Sequence, residues 1–272
     1  MKNAEAPSPR LGDIANTAVF DRVVAGVDGT EAGFEAVRQA ARLVEPDGWL
    51  EVFSAVYLAE ASLTGWSAPR VAAELERDAV ETIRHAAAIA GSRAESRLVN
   101  GSPLRSLMYE LREKQATLAV VGTHEHSRLS EIMIGGVAGE LLHSAPCSVL
   151  VARRPLTEAV FPRALVAGAD GSPESDAAVA AAAYLAHRFR VPLRILTALE
   201  GKFVDLARAQ ERWPAEALDE HPVQALVRAS MDADIVVVGS RGQHGLKALG
   251  SVSERVAHQA ACSVLVVRAR SG

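Results

Sequence analysis

The stretch VGSRGQHGLKALGSV, residues 238–252, sets glycines and a serine around one turn: Gly239 and Gly242 follow an apolar run, then Gly250 and Ser251 open a helix-like segment. Glycine tolerates tight backbone conformations and lets a chain pass close to a ligand. A helix start presents N–H groups that lack intrahelical partners, so anions are favoured there, phosphates above all. Elsewhere in the same half, Asp170 ends another apolar run. It is followed by Gly171, by Ser172 in a helix N-cap position and by Pro173 at the first helical position. These residues could hold an anionic ligand by backbone N–H groups with a carboxylate beside it. The plain alternative is that the glycines only form turns and that Asp170 only caps a helix.

The first half contains VGTHEHSRLSEIMIGGV, residues 121–137. Gly122 and Gly135 match, but Glu125 stands where the second glycine would be and Gly136 replaces the serine. A carboxylate about 4 Å from a phosphate charge costs roughly 1 kcal/mol in water and about 4 kcal/mol at an effective dielectric near 20. That weakens binding by about one to three orders of magnitude. Asp28 remains in this copy, so the site is expected to be degraded rather than absent. His124, Glu125 and His126 are adjacent loop residues with no third ligand nearby in sequence, and a solvated loop is preferred to a metal site.

The elements that must position these residues occur twice. RVVAGVDGTEA returns as ALVAGADGSPE, VVGTHEH as VVGSRGQ, and SAPCSVLVAR as QAACSVLVVR. The offset is 142 residues from Asp28 to Asp170 but 117 from Gly122 to Gly239, so the second copy is 25 residues shorter between these points. Apolar residues at helical spacing alternate with short apolar runs. In the first copy this predicts strands over residues 23–27, 49–56, 96–99, 118–121 and 148–152, with helices between them. Alternating β and α implies right-handed crossovers and a parallel sheet covered on both faces. The missing residues fall in the second crossover of the second copy, so the outer edge of its sheet is expected to be reduced. The domains are placed at 21–154 and 163–269, after a mobile tail over residues 1–20.

Composition removes several classes. Hydrophobic residues make up 49% of the 272 and aromatics 4%, which suits Ala/Val/Leu-rich α/β proteins. A formal charge of −4 gives no electrostatic reason to expect nucleic acid or an anionic membrane as partner. Cys147 and Cys262 have no CxxC spacing and read as packing residues in a reducing cytosol. No apolar run is long enough to span a bilayer, and the first residues do not read as a signal peptide, so a cytoplasmic location is expected.

The VDG(S/T) strand end, the GSRG turn, the GSV helix start and the closing Ala-x-Cys-x-Val-Leu-Val strand, in this order and twice over, resemble the universal stress protein family in its tandem two-domain form. The resemblance covers about residues 22–268. It implies two Rossmann-like parallel sheets of strand order 3-2-1-4-5, and a family in which members carrying G-x2-G-x9-G-(S/T) bind ATP and others do not. Carried onto this chain, it assigns Asp170 to the ribose and metal side and Gly239, Gly242, Gly250 and Ser251 to the phosphates. Gly171, Ser172, Ser240 and Val252 stand beside them as further cofactor-binding positions. The backbone of residues 196–198, with Thr197 at its centre, would meet the adenine. The spacing departs from the pattern, since seven residues, 243–249, separate Gly242 from Gly250. In the first copy, Asp28, Gly122, Glu125, Gly135 and Gly136 form the degraded counterpart.

The first reading of function is therefore a stress-response protein that binds ATP or ADP, with Mg2+ as companion, in its second domain and acts as a ligand-responsive regulatory module. The second is an interaction scaffold of the same fold with vestigial pockets. An enzyme, such as a weak ATPase, comes third, because no residue set would activate an attacking group. Protein partners are not legible. The closing strands, residues 148–152 and 263–267, would be apolar sheet edges, and pairing them would make the chain an internal pseudo-dimer. A homodimer is the alternative use of these edges.

Overall fold

The computed structural model describes residues 20–58, 68–123, 135–153, 155, 160–200, 206–240 and 250–268. The chain divides into an N-terminal unit, Phe20–Phe161, and a C-terminal unit that begins at Pro162. Phe20, placed by sequence at the end of a tail, is instead buried in the N-terminal core, and its carbonyl accepts a hydrogen bond from the Glu45 N–H at 3.0 Å. The rest of the expected tail, residues 1–19, lies outside the described residues.

In the N-terminal unit, β1 (Arg22–Gly26), α1 (Glu31–Leu43), β2 (Trp49–Val56), α2 (Ala68–Ala90), β3 (Glu95–Asn100), α3 (Pro103–Glu113), β4 (Leu118–Gly122), α4 (Gly136–Ser144) and β5 (Ser148–Ala152) follow in order. The strands lie as β3-β2-β1-β4-β5, and neighbouring strands run parallel. Val23, Val24 and Ala25 of β1 are fully buried, which explains why this strand reads as an unbroken apolar run rather than an alternating one. Helices α1 and α2 pack against each other, as do α3 and α4.

The C-terminal unit repeats the plan with β6 (Leu165–Gly168), α5 (Pro173–Phe189), β7 (Leu193–Ala198), α6 (Leu206–Arg212), β8 (Glu216–Leu218), α7 (Pro222–Ala229), β9 (Ile235–Gly239), α8 (Ser251–Gln259) and β10 (Ser263–Val267). Its order is β8-β7-β6-β9-β10, again 3-2-1-4-5. The alanines of α5 account for its close packing: Ala178, Ala181 and Ala182 are fully buried against the sheet, where larger side chains would hold the helix off. The expected shortening is plain in the second crossover. The 23-residue α2 corresponds to a seven-residue α6, and the six-residue β3 to a three-residue β8.

In both units the strand order reverses between the first and fourth strands. Ligand crevices of open parallel sheets lie there, beyond the carboxyl ends of the strands.

Candidate functional site

Each unit has a cavity at that switch point. In the C-terminal unit it measures 320 Å³ and is bounded by the ends of β6, β7 and β9, by the first turn of α5 and by the start of α8. Asp170, Ser172, Gly239, Gly250, Ser251 and Val252 all line it, so most of the residues singled out in sequence converge. Gly250 is the N-cap of α8 and has no side chain to bond the first-turn N–H groups, so that turn of a nine-residue helix opens toward the cavity.

Local chemistry shapes the Asp170 turn. Gly171 has φ of +80°, a conformation that side chains strongly disfavour, which is why Asp-Gly recurs here and at Gly29 with φ of +83°. Asp170 Oδ1 accepts from the Ser172 N–H at 3.0 Å and from its hydroxyl at 2.5 Å. The Ser172 hydroxyl in turn accepts from the Ser175 N–H at 3.2 Å, capping α5. The N-terminal unit repeats this with Thr30, whose N–H and hydroxyl lie 3.1 and 2.6 Å from Asp28 Oδ1. One oxygen of each aspartate thus fixes the turn that leads into a helix.

Gly239 has a reason independent of any ligand. An ideal Cβ there would lie 2.5 Å from the Glu174 carbonyl oxygen and 3.0 Å from the Ser175 nitrogen, because the first turn of α5 crosses the end of β9. Gly122 meets the backbone of Ala32 and Gly33 in the same way. Thr197 does not line the cavity: its hydroxyl is buried and donates to the Ala169 carbonyl at 2.8 Å, tying β7 to the end of β6, while Leu196 and Ala198 on either side face the cavity. Gly171 and Ser240 also lie off the wall, and the Ser240 N–H donates to the Val267 carbonyl at 2.9 Å. Gly242, like His124, Glu125 and His126, falls outside the described residues.

Ser253, His221, Glu174 and Glu200 are among the wall residues that escaped the sequence reading. The Ser253 hydroxyl donates to the Gly239 carbonyl at 2.7 Å and pins α8 to β9; the N-terminal copy has Ala138 there. Ser253 could have been found from the repeat, two positions after Ser251. His221 caps α7 through Nδ1, which accepts from the Val223 N–H at 3.3 Å; a polar residue before Pro222 was its signal. Glu174 and Glu200 are carboxylates with no motif to mark them.

The N-terminal cavity is smaller, 170 Å³, although Asp28, Gly122, Gly135 and Gly136 all line it. Its size follows from two replacements. Phe53 and Val27 occupy the positions taken by Leu196 and Ala169 in the other copy, and their extra carbons fill the space beyond the strand ends.

Among the described residues, no helix is long and apolar enough to cross a membrane, and no cluster of three or more metal-ligating side chains occurs.

The model of the universal stress protein family matches residues 20–153 and 218–268, leaving residues 154–217 unmatched. A universal stress protein of Mycobacterium tuberculosis is 29% identical, over 90% of this chain and 96% of its own. Another from that organism is 32% identical, over 64% of this chain and 68% of its own. A solved structure of a universal stress protein from Archaeoglobus fulgidus shares the fold at a TM-score of 0.70, with 20% identity and coverage of 93% of this chain and 98% of that one. With the motifs, the duplicated strand order and the family match in agreement, the chain belongs to the universal stress protein family.

Proposed function

We propose that the C-terminal unit binds an adenine nucleotide, ATP or ADP, at the switch point of its sheet, and that the chain acts as a ligand-responsive regulatory module. The observation that carries this reading is the contrast between the two cavities. The one with open space, 320 Å³, is also the one that keeps a serine at the helix start and replaces a phenylalanine by leucine. Leu196 and Ala198 offer an apolar surface for a base, and the first turn of α8 offers N–H groups for phosphate.

The described wall carries Asp170, Glu174 and Glu200 but no lysine or arginine. Phosphate groups placed among carboxylates need a cation to offset the repulsion, so the nucleotide is proposed to enter with Mg2+. A catalytic role is not proposed, since the imidazole on the wall, His221, spends Nδ1 on its own helix cap.

Calorimetric titration of the full chain with Mg-ATP tests the proposal. Saturable binding at a single site, lost when Mg2+ is chelated, supports it; no binding at millimolar nucleotide, with none released on denaturation, refutes it. The second reading, an interaction scaffold with vestigial pockets, draws on Gly239 and Asp170, both of which have packing or capping reasons to be present. That negative result would favour it.

A further inference from the structure

Glu51 lies in the middle of β2, in phase with Phe53 and Ala55, and is only 2% exposed. It meets Glu110 of α3, also 2% exposed. Two buried carboxylates facing each other are a poor use of an interior unless something lies between them. Two partly exposed cations stand nearby. Arg97 of β3 bonds Glu110 Oε2 at 3.0 Å, while Lys114, at the end of α3, stands 3.8 Å from an oxygen of each carboxylate. Lys114 is also drawn over the Trp49 ring, 5.1 Å from its centre. Glu51 Oε1 and Glu110 Oε1 have no hydrogen-bond partner among the described residues. A proton between the two groups would supply the hydrogen bond that these two buried oxygens lack.

We infer that Glu51 and Glu110 hold one proton between them and that this proton fastens α3 to β2, making a pH-sensitive clamp within the N-terminal unit. Burial, first, and the neighbouring Glu110 charge, second, push the Glu51 carboxyl up to about 7, against the lowering effect of Lys114 and Arg97. No group of α1 or α2 is among the charges acting on it, and Glu95, beside Glu51 on β3, is exposed. The clamp joins the same two elements that wall the N-terminal cavity, since Phe53 and Ala55 of β2 and Pro103 and Leu107 of α3 line it. Loss of the proton leaves two like charges facing each other in the interior and drives α3 outward from the sheet.

The sign follows from linkage. A carboxyl with a raised folded-state value holds its proton in the native state where the unfolded chain has released it. The contribution is complete below the ordinary carboxylate range, declines as pH rises through the interval up to about 7, and is gone above it.

Carbon-13 NMR of the Glu51 side-chain carboxyl in the full chain needs no substitution. A titration midpoint near 7 is expected. A midpoint in the ordinary carboxylate range overturns the inference. Hydrogen exchange gives the mechanical readout: protection of the α3 amides, corrected for intrinsic rates, should fall by about tenfold or more between about pH 5 and pH 8. Glu51→Gln, which can donate to Glu110 without titrating, should abolish this dependence and leave α3 protected at the higher pH. An unchanged dependence in that variant refutes the clamp. Neither measurement involves the nucleotide reading of the other unit.

Discussion

Trp213 donates its indole Nε1–H to Asp176 Oδ1 at 2.9 Å, in a buried contact between the end of the shortened crossover and the first turns of α5. Arg212 approaches the other carboxylate oxygen at 2.9 Å. Where the first copy has a long helix, the second has this aromatic, 7% exposed and anchored to α5.

Removal of that anchor should be costly. Trp213→Phe keeps most of the buried ring but loses the N–H, and a hydrogen bond to a charged group is worth about 1.5–3 kcal/mol. Denaturant unfolding followed by circular dichroism should show a loss of that size. Hydrogen exchange should place the loosening in α6 and β8. A stability change below about 0.5 kcal/mol would show that the bond contributes nothing net.

Gly239→Ala separates packing from ligand contact. The added Cβ would press on the Glu174 carbonyl, a backbone atom that cannot swing aside. Overpacking of this kind costs about 1–3 kcal/mol, and the loss should appear in the nucleotide-free chain. Unchanged melting with weakened nucleotide binding would return Gly239 to a purely ligand-facing role.

Copying the N-terminal filling into the C-terminal cavity should close it. The pair Ala169→Val with Leu196→Phe reproduces what Val27 and Phe53 do in the other unit. Affinity for Mg-ATP should drop at least about tenfold, near 1.4 kcal/mol. Calorimetry reads the affinity and a melting curve checks that the fold is kept. Undiminished binding would mean that the nucleotide sits elsewhere.

The reverse exchange should open a second site. Val27→Ala and Phe53→Leu enlarge the N-terminal cavity, and Glu125→Gly removes the opposing charge. Gly136→Ser restores a hydroxyl at the helix start, where an added Cβ meets nothing within 4 Å. Calorimetric stoichiometry should rise toward two sites per chain, twice that proposed for the native protein. If it stays unchanged, space and charge are not what distinguishes the two copies.

Much of the fold was legible in the sequence because its signals are local or repeated. Trp49–Val56 and Ser148–Ala152 fall where their apolar runs place them, and the Ser172 cap with Pro173 marks the start of α5 from neighbouring residues alone. The reduced edge at β8 was legible from length, since a crossover 25 residues shorter cannot build the same helix. The Asp170 turn and the α8 start were legible as a candidate site because each is a short motif at a strand end or helix start.

The rest depends on residues far apart in the chain. That Gly239 yields to the Glu174 carbonyl, that Thr197 turns its hydroxyl to Ala169 rather than to a ligand, and that Ser253 and His221 join the wall are facts of where elements cross. Cavity volume is set by which side chains share a strand face with the switch point, so Phe53 and Leu196 decide it although neither belongs to a motif. No motif marks Glu51. Its meeting with Glu110, 59 positions later, required the packing of α3 on β2, because the electrostatic cost of a buried carboxylate depends on its neighbours in space and not on those in sequence.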